Sequence, residues 1–283
     1  AIVIKYEYVD HLAAPDVGWE WLRRNEDYQR DYAELSSASR DSPSVTKGPA
    51  GAGGYDFLVA PALKSTEAQV FWLPEEDTGS VILTPAPASI AADSTLLSPP
   101  TRSADLPTEH SLHFLHDLRN GQRLHLALPG DGSAEQPLVA VIPLGMEGFD
   151  RMEAVARLLA SLHGRAIPPD TRLTRQQLAR ARRMLQAIDG YGAGATQQEI
   201  AEVILRIGKL TRDEWQAASA RHAVAGLLGD ARAMISGGYR KLLVIAADPS
   251  RIARVSLVWG FSTSQNPAAT RRFPFAIVAF VSR

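Results

Sequence analysis

Residues 174–243 read TRQQLARARRMLQAIDGYGAGATQQEIAEVILRIGKLTRDEWQAASARHAVAGLLGDARAMISGGYRKLL. Apolar residues recur through this stretch at helical spacing, and Gly192-Ala193-Gly194-Ala195 interrupts it. Two of its three candidate helices open on a Thr-x-x-Gln/Glu signature, Thr174 to Gln177 and Thr196 to Glu199. There the threonine oxygen accepts a hydrogen bond from the N–H three residues on, and the Gln or Glu side chain reaches back to the cap residue's own N–H. Such a start behind a Gly-containing turn is what a helix-turn-helix requires. Over Thr196–Ile207 the spacing sets Ile200, Val203, Ile204 and Ile207 on one apolar stripe and turns Gln197, Gln198, Glu202 and Arg206 outward. Over Ser219–Ile235 it turns Val224, Leu227, Leu228, Ala231, Met234 and Ile235 inward, leaving Arg221, His222, Ala225, Gly229 and Arg232 outside.

Working outward, the charge of the chain divides sharply. The whole carries 30 Lys and Arg against 31 Asp and Glu. Residues 1–170 hold 13 basic against 24 acidic side chains, and residues 171–283 hold 17 against 7. Such asymmetry predicts an anionic partner for the basic half, and because basic side chains bind phosphates by releasing counterions, nucleic acid leads. At 283 residues, 45% hydrophobic, the chain is an ordinary globular one with room for two domains. Without cysteine it can form neither disulfides nor thiolate metal sites, which suits a reducing cytoplasm. No apolar run is long enough for a membrane helix, and AIVIKYEYVD carries charge too early for a secretory signal.

The acidic half predicts helix, then sheet. GWEWLRRNEDYQRDYAELSSASR reads as one bent helix or two short ones, with Trp19, Leu22, Tyr28, Tyr32 and Leu35 at helical spacing and Asn25 placed to cap a second piece. Its aromatics either pack the helix onto its own domain or form a partner-binding face. From Tyr55 to Leu83 the pattern is extended, but Pro61, Pro74 and Pro85 favour edge strands and loops. Residues 84–109, rich in Pro, Ala and Ser, read as a flexible linker. SLHFLHDL and QRLHLALP flank Asn120-Gly121, a hairpin signal, and LVAVIPL supplies a third strand. An amphipathic helix follows, with Met152, Val155, Leu158, Leu159 and Leu162 on one face and Gly164 as its C-cap. Residues 110–165 thus form a small antiparallel sheet with a covering helix, and residues 244–283 are an extension with strand-like runs.

Chemistry-bearing constellations are few. His110, His113, His116 and His125 lie close in sequence, but strand periodicity sends residues three apart to opposite faces, which opposes a metal site. No nucleophile elbow, P-loop, dinucleotide fingerprint or His-Glu-x-x-His pattern is present. No catalytic, metal or cofactor site is expected. The basic helical stretch is the better candidate: small residues beside Arg221 would let the helix starting at Ser219 approach a groove, where arginine reads guanine edges or holds phosphates. Arg172, Arg175, Arg180, Arg182, Arg183, Lys209, Arg212, Arg240 and Lys241 add flanking charge for backbone contacts.

The stretch from Gln177 to Leu205, with Trp215 and the closing ARAMISGGYRKLL, resembles the RovC-like DNA-binding domain of type VI secretion transcription factors. WEWLRRNEDYQRDYAEL, residues 19–35, resembles the transcriptional-regulator-like domain often found ahead of it, with Glu26 where that family commonly has proline. The resemblance implies a cytoplasmic transcription activator of a secretion locus or of an integrative mobile element. The alternative is an antiactivator that binds a related regulator without touching DNA. The DNA-binding reading predicts double-stranded DNA as ligand, a homo-oligomer, since DNA sites are commonly read by symmetric assemblies, and RNA polymerase or an antiactivator protein as partner of the acidic half. The expected architecture is α+β. Its parts are an N-terminal domain over 1–83, the linker 84–109, the sheet and helix over 110–165, an all-α helix-turn-helix-like domain over 171–243, and the extension 244–283. The DNA contacts expected are Arg175, Arg182, Arg183, Gln197, Gln198, Lys209, Arg212, Arg221, His222, Arg232, Arg240 and Lys241.

Overall fold

The computed structural model describes residues 6–38, 46–47, 57–88, 102–107, 111–130 and 137–244. Its architecture is α+β, and its two compact units do not follow sequence order. The first draws on residues 1–48, 58–70 and 171–242, the second on 49–57, 71–170 and 243–283. The N-terminal helices therefore share a unit with residues 58–70 and with the basic helical stretch, while residues 71–83 go with the second unit.

In the first unit a 3-10 turn, Glu7–His11, leads into α1 (Ala14–Leu22) and α2 (Glu26–Ala38). Asn25 separates these helices as expected of a cap, its Oδ1 accepting from the Tyr28 N–H at 2.9 Å. Trp19 and Tyr28 pack edge to face at 5.5 Å between ring centroids and are buried, whereas Tyr32 and Leu35 are half-buried. The Trp19 indole N–H donates to the Leu63 carbonyl, and the Tyr28 hydroxyl donates to the Val59 carbonyl while accepting from the Val59 N–H. Segment 59–70 is thereby sewn to α1 and α2 by side chains instead of by a sheet ladder. Two-residue strands are described at β1 (Thr46–Lys47), ahead of the extended pattern expected from Tyr55, and at β2 (Phe57–Leu58), near its start.

The second unit holds a five-stranded sheet of β3 (Val81–Pro85), β4 (Arg102–Pro107), β5 (Ser111–Asp117), β6 (Arg123–Pro129) and β7 (Leu138–Val141), in the order β4-β5-β6-β3-β7. Two expectations change here. Val81–Pro85 is an internal strand, parallel to β6 and antiparallel to β7, because Pro85 falls at its last position. Arg102–Pro107, inside the expected linker, pairs with β5 as an edge strand, so the sheet is mixed rather than purely antiparallel. The hairpin lies where Asn120-Gly121 puts it, but only Gly121 takes positive φ, +83°. The Gly121 N–H bonds the Leu118 carbonyl, and the Leu118 N–H bonds the Gln122 carbonyl, which makes a three-residue loop with glycine in the left-handed position.

Helix α3 (Glu147–Leu162) covers one face of the sheet. Ala154 and Leu158 join Val81, Phe114, Leu124, Leu126 and Leu128 in the core. Of the expected face, Val155 and Leu162 are half-buried and pack against this core beside Leu158, while Met152 and Leu159 are half-buried and Arg151 and Ser161 are buried. The terminal nitrogens of Arg151 donate to the Ser80 carbonyl at 3.0 Å and the Pro74 carbonyl at 2.5 Å. Gly164 ends the helix at φ +63°.

The histidines distribute as strand periodicity demands. His116 Nε2 meets Ser161 Oγ on the α3 side, at 3.0 Å. His113 Nδ1 and His125 Nε2 meet at 3.0 Å, with the Phe71 ring edge-on to His125. His110 and residues 245–283 lie outside the described residues. No helix among the described residues is long and apolar enough to cross a membrane.

Candidate nucleic-acid interface

Residues 171–244 are helical where they are regular: α4 (Arg175–Gly192), α5 (Gln197–Ile204), α6 (Arg212–Ala217), α7 (Ser219–Ile235) and a closing 3-10 turn, Gly238–Leu242. Both expected capping boxes form. Thr174 Oγ1 accepts from the Gln177 N–H at 3.2 Å, and Thr196 Oγ1 accepts from the Glu199 N–H at 3.2 Å. A third, Thr211 to Glu214, opens α6, and its Thr-Arg-Asp-Glu signature was present in the sequence to be read. The Thr196 backbone N–H on its carboxylate holds Glu199 below the usual acid range. Between α4 and α5 the chain turns in four residues, with Gly194 at φ +89° and the Ala195 N–H closing on the Gly190 carbonyl at 3.0 Å.

Leu185, Ala187, Ile200, Ala201, Val224, Leu228 and Ala231 form the dry side of these helices. The inward face of α7 is as expected except that Met234 and Ile235 are only half-buried. That of α5 is not. Val203 is 63% exposed, and the helix stops at Ile204, with Arg206 in the left-handed region at φ 55°, so Ile207 never joins the stripe. Helix α6 then intervenes between α5 and α7, sharing Ala218 as its last cap and the first of α7.

The expected contact residues fall into two groups. Arg182 is ion-paired to Asp10, and Gln198 donates to the Leu210 carbonyl at 2.8 Å, so both are engaged within the fold. Gln197 is half-buried. Arg175, Arg183, Lys209, Arg212, Arg221, His222, Arg232, Arg240 and Lys241 are exposed. Among the described residues no carboxylate pairs with Arg175, Arg183, Lys209, Arg212, Arg221, Arg232 or Lys241; Arg221 leans on Gln216 at 3.3 Å and Arg183 on the Ala179 carbonyl at 3.3 Å. Arg180, by contrast, is paired with Asp230 across α4 and α7.

On α7, successive outward positions are His222, Gly226, Gly229 and Ala233, with Arg221 and Arg232 along one flank. A Cβ added at Gly226 or Gly229 would meet nothing within 4 Å. Gly226→Ala and Gly229→Ala are each expected to stabilise the protein by about 0.5–1 kcal/mol, read as a higher urea midpoint, because a helical glycine loses more backbone freedom than alanine. Lower midpoints would show that the fold itself requires glycine there.

The closing turn is held from the other end of the chain. Asn25 Nδ2 donates to the Ile235 carbonyl at 2.9 Å, satisfying an orphan carbonyl in the last turn of α7. Arg24 forks onto Asp189 near the end of α4 at 2.8 and 2.6 Å and also reaches Glu20, and the Tyr6 hydroxyl donates to Asp189. Burial, reinforced by the Asp189 hydrogen bond, raises the Tyr6 hydroxyl well above its usual pKa.

Residues 141–244 match the family model of the T6SS (type VI secretion) transcription factor DNA-binding domain, and residues 4–51 match that of the proteobacterial transcriptional regulator-like domain. The first match starts ahead of α3, about a helix earlier than the sequence motif alone indicated. No curated protein matches the chain. The two matches, to a DNA-binding domain and to a transcriptional regulator-like domain, fall on different parts of the chain and suggest a DNA-binding transcriptional regulator.

Proposed function

We propose that the protein is a cytoplasmic, homo-oligomeric transcription activator that binds double-stranded DNA through its C-terminal helices and acts on a secretion or mobile-element transfer locus. The observation that carries the reading is α7. It exposes Arg221, His222 and Arg232 beside glycine and alanine, and neither arginine has a carboxylate partner among the described residues. Uncancelled guanidinium groups flanking a line of small side chains are what a helix needs to lie close to a groove and hold phosphates or guanine edges. Helix α5, behind its four-residue turn, would buttress α7 in the manner of a helix-turn-helix, and Arg175, Arg183, Lys209, Arg212, Arg240 and Lys241 would supply backbone contacts. The acidic α2, with Glu26, Asp27, Asp31 and Glu34, is repelled by phosphate and would face RNA polymerase or another regulator.

The test is a gel-shift titration of the full chain on the DNA upstream of its own gene, at rising salt. Binding should fall steeply as salt rises, because each phosphate contact releases counterions. Arg221→Ala should weaken it by about ten-fold. Binding that is absent or indifferent to salt would sink the reading and leave the antiactivator alternative.

A further inference from the structure

We infer that Tyr191 is a positioning residue for duplex recognition, holding Arg232 by stacking so that its guanidinium stays free to fork onto a DNA acceptor pair. That pair is guanine O6/N7 or two phosphate oxygens. The inference rests on the DNA-binding reading above. Tyr191 stands in the last turn of α4, between Gly190 and Gly192, and is 46% exposed. The Arg232 guanidinium carbon lies 5.2 Å from the centre of its ring. Arg232 is exposed, and among the described residues its guanidinium has no hydrogen bond or ion pair.

Three paired arginines of this unit give the stack its meaning by contrast. Arg24, Arg180 and Arg182 are each tied to a carboxylate, those of Asp189, Asp230 and Asp10. A carboxylate occupies the guanidinium fork and cancels its charge. An aromatic face orients the same plane while consuming none of its five N–H donors. Ordering the long side chain beforehand also removes part of the entropy that binding would otherwise cost. Burial gives no reason for a large aromatic here, since nearly half of Tyr191 is in solvent. Arg221 lies on the same flank of α7, three turns before Arg232 and about 16 Å away along the axis. The flank therefore presents two guanidinium groups, one of them pre-oriented.

Short duplexes enriched by the full chain from a random pool serve as the probe, titrated by fluorescence anisotropy at fixed salt. Tyr191→Ala and Arg232→Ala should each weaken binding about ten-fold. The double variant should bind no worse than Arg232→Ala alone, because the two residues act as one unit. Tyr191→Phe, which keeps the ring, should bind like the parent. Parental affinity in Tyr191→Ala, or losses that multiply in the double variant, would overturn the inference and leave the DNA-binding reading standing. A full chain that enriches no duplex overturns that reading, and the inference with it. Enrichment repeated with Tyr191→Ala separates the two acceptors. A relaxed preference at one base position marks a guanine edge, and a uniform loss with a shallower salt slope marks phosphate; either supports the positioning role.

Discussion

Arg24→Ala is expected to lower the unfolding free energy by about 3–5 kcal/mol, the cost of removing one partner from a buried ion-pair network. Glu20 is fully buried, and its carboxylate is met by Arg23 at 2.7 Å, Arg24 at 2.9 Å and the Ser65 N–H at 2.9 Å. Burial pushes its pKa up, but Arg23, the Ser65 N–H and Arg24 outweigh that push and hold it below the usual acid range. Without Arg24 the Glu20 charge keeps its desolvation and loses a neutralising group, and Asp189 loses both of its guanidinium bonds. Urea unfolding followed by tryptophan fluorescence reads the effect, since Trp19 and Trp21 are buried on the same helix. A double change, Glu20→Gln with Arg24→Met, should lose much less, because no charge is then left uncompensated. Should Arg24→Ala cost under about 1 kcal/mol, comparable to a surface ion pair, the network would have no such role.

Acid should weaken the second unit through His125. Burial above all, then His113 and Arg151, pushes its pKa from the ordinary histidine value down to about 3. In the unfolded chain the ring takes up a proton near pH 6.5, and in the folded chain it does not until about pH 3. Stability is therefore complete above about pH 6.5 and is shed as pH falls toward 3, at up to about 1.4 kcal/mol per pH unit from this residue. His125→Phe should flatten the slope of urea midpoint against pH between 6.5 and 5. An unchanged slope would place the titration elsewhere. Phe71 already meets His125 edge to face at 5.6 Å, so an aromatic replacement keeps the contact that matters for packing.

Capping boxes, the Asn25 cap, the Gly164 stop and the inward face of α7 were legible because each depends on residues within a few positions of one another. What the sequence hid is non-local. Val81–Pro85 gives no hint that its ladder partners lie near residues 126 and 140, and prolines argued against an internal strand. Arg102–Pro107 looks like linker until β5 supplies a neighbour. For the candidate interface, exposure of Arg221, His222 and Arg232 followed from helical arithmetic. The capture of Arg182 by Asp10 could not, since 172 residues separate them. Nor could the stack of Tyr191 on Arg232, which joins two helices through a turn whose geometry no local pattern encodes.

The shared unit of chain start and helical stretch has a consequence for synthesis. Trp19, Trp21 and Leu22 emerge from the ribosome early, yet the closing turn and α7, which complete the same unit, are made last. At ordinary elongation rates, on the order of 10 residues per second, these side chains wait tens of seconds for their cover. Meanwhile the described strands of the sheet unit are made in between, while the rest of that unit, from Leu243 on, comes later still. The nascent chain therefore carries an uncovered apolar N-terminal helix until residues 171–242 are made, and its exposure to chaperones is set by translation speed through them.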